Sequence, residues 1–208
     1  MVQRSGLHAG VAGMALGLAL LGGCGTYSLM RPAETMREGR VELAAGIAAS
    51  SIGEANTVVH AAYAITDDLE IDAQNEVWNT FVELRYGLLH ERDDGLSLAV
   101  GAGGGEAITL VSAAGDALDG DDADNGAAGL VSVAIGKRFG PVDLTLGNRT
   151  FVQVGSFFMS STRAQARFAI GDHFGFILEG GATVHAPIRE PDLALAIGEG
   201  TGGFWVGF

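Results

Sequence analysis

Eleven charged side chains fall on one phase of a two-residue alternation: Glu42, Glu70, Asp72, Glu83, Arg85, Arg138, Asp143, Arg149, Arg163, Arg167 and Glu179, with His60 and Gln165 in the same phase. Six carboxylates face five guanidiniums, so this set is close to neutral although the chain carries a formal net charge of -13. Guanidinium forks match carboxylates bidentately, and a buried charge without a partner is costly. The residues therefore read as an internal ion-pair network. A thin polar path for small solutes is the other reading of the same side chains.

Other groups with chemical potential are weaker. Asp116, Asp119, Asp121, Asp122 and Asp124 crowd one stretch, and hard cations such as calcium take oxygen clusters. The spacing misses the Asp-x-Asp-x-Asp-Gly loop with its later Glu, and a solvated loop accounts for it. His8, His60, His90, His173 and His185 show no metal-ligand spacing, so no metal is expected. His185 with Glu190 and Asp192 offers acid and base groups in one loop. No serine or second histidine completes a hydrolase there, so His185 reads as a strand-end residue, and neither catalytic residues nor a cofactor are expected. Gly101 to Gly105 lacks the Lys-Ser/Thr of a phosphate loop and reads as relief of crowding at a strand end.

The elements that must position the charged set are strands. Ten segments alternate apolar and polar residues: 41–50, 57–65, 69–76, 79–89, 96–105, 128–138, 142–150, 162–171, 174–184 and 202–208. Short turns at 66–68, 91–95, 139–141 and 172–173 interleave with longer links at 106–127, 151–161 and 185–201, while the 76–79 link is short. The other phase is apolar: Val41, Leu43 and Ile47; Val82, Leu84 and Tyr86; Leu96, Leu98 and Val100; Val131, Val133 and Ile135; Val142, Leu144 and Leu146; Phe174, Phe176 and Leu178. This predicts an all-β fold, an antiparallel up-and-down transmembrane barrel of about ten strands, with eight as the alternative, its greasy phase toward lipid and its charges inward. A soluble barrel would invert the two phases. Aromatic residues near strand ends and the glycine-rich polar phase favour the membrane form.

Arg4 and the apolar run from Leu7 to Leu21 form a signal peptide too short to span a bilayer as a helix. Leu21-Gly22-Gly23-Cys24 resembles the lipobox of bacterial lipoproteins, which implies cleavage before Cys24 and its lipidation; an ordinary signal peptide is the alternative. Gly25 then favours passage to the outer membrane. Cys24 is the only cysteine, so one chain forms no disulfide. The organisation expected is a signal at 1–23, a periplasmic tether at 24–39 and a barrel over 40–208, with both barrel termini periplasmic.

The acidic balance argues against nucleic acid as partner. Phe204, Val206 and Phe208 resemble the C-terminal recognition signal of outer-membrane barrels, which implies the barrel assembly machinery and outer-membrane lipids as partners and leaves any extracellular partner unspecified. With the alternation, the resemblance to small outer-membrane barrels covers residues 40–208. Its expected role is structural or surface interaction with a closed lumen; a narrow channel and, more remotely, a surface hydrolase are the rivals.

Overall fold

In the computed structural model the described residues are 28–53, 55–76, 79–107, 126–153, 157–188 and 194–208. The expected signal peptide, Cys24 and the acidic run of Asp116 to Asp124 lie outside them, as do Glu190 and Asp192. No helix among the described residues is long and apolar enough to cross a membrane. Ten strands form in sequence order: β1 Val41–Ser50, β2 Ala55–Ala64, β3 Leu69–Glu76, β4 Asn79–Leu89, β5 Ser97–Ala107, β6 Gly126–Phe139, β7 Val142–Gln153, β8 Phe157–Ala169, β9 Phe174–Pro187 and β10 Leu195–Gly207. A single helical turn, α1 Glu91–Asp94, sits between β4 and β5 and ends on Gly95 at φ 73°, a left-handed conformation that glycine adopts at no steric cost.

Each strand pairs antiparallel with its sequence neighbours, and β1 closes on β10 from Glu42↔Gly207 to Ser50↔Glu199. Closure leaves no strand edge, so every wall has both of its hydrogen-bonding sides occupied. At the seam the backbones come close: a Cβ on Gly46 would lie 2.6 Å from Gly202 O. Glycine is required there because any side chain would push the closing strands apart.

The ends of the barrel differ. Val41 and Phe208 meet at one end, where each backbone N–H donates to the other's carbonyl at 3.2 and 2.9 Å. We call this the terminal mouth; it carries the links at 65–68, 90–96, 140–141 and 170–173, and the far mouth carries the other five. Wall height is uneven, since β3 has 8 residues while β6 and β9 have 14.

Strands β7, β8 and β10 run further than their sequence alternation marks, so the expected links at 151–161 and 185–201 shrink. The physical reason is that Phe151, Phe157, Met159 and Ile197 point inward and are buried, which breaks the polar-inside rule that would reveal them. Phe81, Leu130, Val58 and Ile177 are buried inward as well, but the outer wall keeps its apolar phase and the charges stay inside. Ile47, Val131 and Leu178 are 65, 56 and 57% exposed on the outer wall, whereas Glu70 and Arg163 are 0 and 1% exposed inside. A water-soluble barrel reverses this polarity, and an apolar band around a closed wall suits hydrocarbon. The fold is a closed antiparallel transmembrane β-barrel of ten strands.

Candidate functional site

Ten of the eleven charged residues of the alternating set lie buried in the barrel interior. Arg138 does not. It keeps the inward phase but sits one residue from the end of β6 at the terminal mouth, where its side chain is 60% exposed and 3.6 Å from Asp143. Its only ion pair among the described residues is this long one to Asp143.

The larger correction concerns the expected tether. Residues 28–35 do not hang below the barrel; they occupy its interior, with Ser28, Leu29, Met30, Arg31 and Ala33 at most 5% exposed. A chain inside a barrel must find partners for its backbone polar groups, and the wall supplies them. Ser28 N–H donates to Glu76 at 2.8 Å, Leu29 and Met30 N–H donate to Glu179 at 3.1 and 2.7 Å, and Ala33 N–H donates to Thr145 at 3.1 Å. Ser28 O accepts from Gln74 and Arg149, and Pro32 O accepts from Arg85. Met30 takes φ 52°, a turn closed by Arg31 N–H donating to Leu29 O at 2.6 Å. The strain of that conformation, about 1–3 kcal/mol, is offset by the two N–H groups it aims at Glu179 and by burial of the Met30 side chain against Ala44, Ala48, Val58 and Ile177.

Arg31 is the centre of the filled lumen. Its guanidinium lies 2.8 Å from Glu42, 2.6 Å from Glu70 and 3.8 Å from Asp72. Arg85 bonds Glu70, Arg167 lies 2.9 Å from Glu42, and His60 stands 3.7 Å from Asp72. Toward the far mouth, Arg149 pairs with Glu83 at 3.1 Å and lies 5.0 Å over the Phe81 ring, and Arg163 pairs with Glu199. Above these pairs an apolar cluster of Phe81, Leu130, Phe151, Phe157 and Met159 fills one side of the interior.

Glycine in β5 makes room for one of these pairs. A Cβ on Gly101 would collide with the Glu83 carboxylate and with Ser132 Oγ, so the glycine run works at the lumen wall rather than only relieving a strand end.

Sequence reasoning missed Arg31, Glu76 and Glu199. Glu76 continues the phase of Glu70 and Asp72 and was legible there. Glu199 stands between Gly198 and Gly200, which hide the strand. Arg31 belongs to a segment with no periodicity and carried no signal. With these three, the buried interior among the described residues holds Glu42, Glu70, Asp72, Glu76, Glu83, Asp143, Glu179 and Glu199 against five arginines, more acidic than the alternating set alone implies.

At the terminal mouth a cavity of about 960 Å³ opens, reaching inward to Arg31, Glu42, Arg167 and Trp205. His90 stands at its rim, 2.7 Å from Asp68 and 3.3 Å from Glu34. Burial opposes its charge, but the hydrogen bonds and negative charges of Asp68 and Glu34 outweigh that and raise its pKa above the ordinary histidine value. Because Glu34 also accepts from Glu91 N–H, this cluster fastens the inserted segment to the turn. His185 lies two residues from the end of β9, its side chain in the inward phase and 1% exposed. Phe204 and Phe208 stand on the outer surface of β10 and its end, 48 and 65% exposed.

No family model matches the chain, and no curated protein is similar to it. Among solved structures it is similar to the crystal structure of Neisserial surface protein A, with 13% identity over 80% of this chain and 94% of that one and a TM-score of 0.19. A superposition that loose adds nothing to what strand register and polarity show by themselves.

Proposed function

We propose that this chain is a lipid-anchored outer-membrane barrel with a closed lumen and a structural or surface-interaction role. The observation that supports this reading is the occupied interior: among the described residues, the inserted segment from Ser28 and the ion pairs around Arg31 lie across the barrel at mid-height. Val41 and Phe208 would face the periplasm, with Phe204, Val206 and Phe208 offered to the assembly machinery, and Cys24 would carry the lipid. Burial of the His185 side chain inside the barrel favours a non-catalytic reading.

Two measurements test the reading. Unheated protein should migrate anomalously on a denaturing gel and shift on boiling, and labelled fatty acid should enter the wild type but not Cys24→Ser. Heat-indifferent migration removes the barrel; label retained by Cys24→Ser removes the anchor.

A further inference from the structure

We infer that the cavity at the terminal mouth is an anion site, which takes the phosphate group of a small solute between Arg37, Arg40 and Arg167. The cavity opens into the barrel mouth rather than onto the outer wall, so its ligand comes from water and not from hydrocarbon. Its volume, about 960 Å³, is that of a small-molecule site. The inference does not depend on the lipid anchor.

Charge count alone does not single out an anion, because acids and arginines line this cavity in equal number. Their commitments differ. Glu34 is held by His90 and by Glu91 N–H, Asp67 accepts from Glu38 N–H at 2.8 Å, and Glu91 accepts from Arg138 N–H at 2.9 Å. Glu42 lies between Arg31 and Arg167, and Asp143 accepts from Thr145 Oγ1 at 3.3 Å and stands 3.6 Å from Arg138. Asp172 alone has no such partner among the described residues, and it is exposed in the 170–173 turn.

The arginines are spare. Arg37 and Arg40 make no ion pair and no side-chain hydrogen bond among the described residues. Both sit on one tight turn, in which Arg40 N–H donates to Arg37 O at 3.1 Å and Gly39 takes φ 77°. Two bonds of 2.9 Å fasten that turn to the end of β2, from Gly39 N–H to Ala64 O and from Ala64 N–H to Arg40 O. The two side chains therefore leave a fixed backbone. Arg167 lies at the floor, 6% exposed. One oxygen of Glu42 is its sole ion-pair partner among the described residues, and its buried Nε has no hydrogen-bond partner. Buried donors of this kind call for an acceptor.

Trp205 joins rim to floor. Arg167 Cζ lies 4.7 Å from the centroid of its ring. A Cβ on Gly207 would stand 3.5 Å from both Trp205 Cζ3 and Arg40 Nη2, so Arg40 and Arg167 are neighbours of one indole. An oxyanion beside that ring meets donors from both. Phosphate suits them, because guanidinium forks grip its oxygens bidentately and several cations match its charge.

The test is equilibrium dialysis of the folded full-length protein against radiolabelled inorganic phosphate at neutral pH, with chloride holding ionic strength constant. Wild type should bind phosphate saturably, one per barrel. Arg37→Gln and Arg40→Gln should weaken binding at least tenfold, and Arg37, exposed on its turn, can be changed without disturbing the packed interior. Lys137→Gln removes the same charge from the outer wall beside Phe139 and should change nothing. Loss in either arginine variant but not in Lys137→Gln supports the site. No saturable binding by wild type, unchanged affinity in both arginine variants, or equal loss in all three variants overturns it.

Discussion

Arg31 Nη1 lies 2.8 Å from Glu42 Oε1, joining a residue of the inserted segment to one at the start of β1 across the reversal that admits the chain into the lumen. Both side chains are nearly free of solvent contact, and the same guanidinium also holds Glu70. Removing one member of a buried ion pair leaves the others uncompensated, at a typical cost of about 3–5 kcal/mol. Arg31→Ala should lower stability by that order in urea unfolding of the bilayer-inserted protein. A loss no larger than that of Arg92→Ala, whose side chain is 55% exposed beside Asp93, would remove Arg31 from the centre of the lumen.

Glycines at the wall give a second check. Gly101→Ala drives a methyl into the Glu83 carboxylate and Ser132, and overpacking of this kind costs about 1–3 kcal/mol. Gly180→Ala meets nothing within 4 Å and should be neutral. Equal unfolding midpoints for the two variants would mean that Glu83 does not cross over Gly101.

Most of the fold was legible because a barrel writes itself in alternate residues. The bounds of β1, β3 and β4 agree with the alternation to the residue, since Glu70 and Asp72 beside Leu69 and Ile71 fix the phase. Legibility failed where the inward residue is apolar, as at Phe157 and Met159, or where glycines thin the pattern, as around Glu199. The inserted segment left no trace at all. Its path depends on a carboxylate at Glu179 meeting backbone N–H groups, and backbone donors are the same for every sequence.

His90 makes stability depend on pH. Its folded-state pKa is raised above 6.5 by Asp68 and Glu34 against the opposing effect of burial. A raised pKa contributes stability that is fully present below the unfolded value and is lost as pH climbs through the folded one. Stability should therefore fall as the medium is taken from below pH 6.5 to alkaline values, and His90→Gln should flatten this part of the profile. A wild-type profile unchanged by His90→Gln would separate Glu34 from the latch.

Folded protein in planar bilayers should be electrically silent, because the segment from Ser28 to Ala33 and the pairs around Arg31 fill the interior. Steady conductance from heat-modifiable wild-type protein would show that the interior is open.

The inverted polarity of the wall is tested most directly at Leu178, which is 57% exposed on the outer face between inward-facing Ile177 and Glu179. Arginine on the lipid face near mid-bilayer costs about 2–4 kcal/mol. Unfolding from phospholipid bilayers should show Leu178→Arg destabilised by that amount. An unchanged or increased stability would mean that the outer wall meets water, contradicting a membrane-embedded barrel.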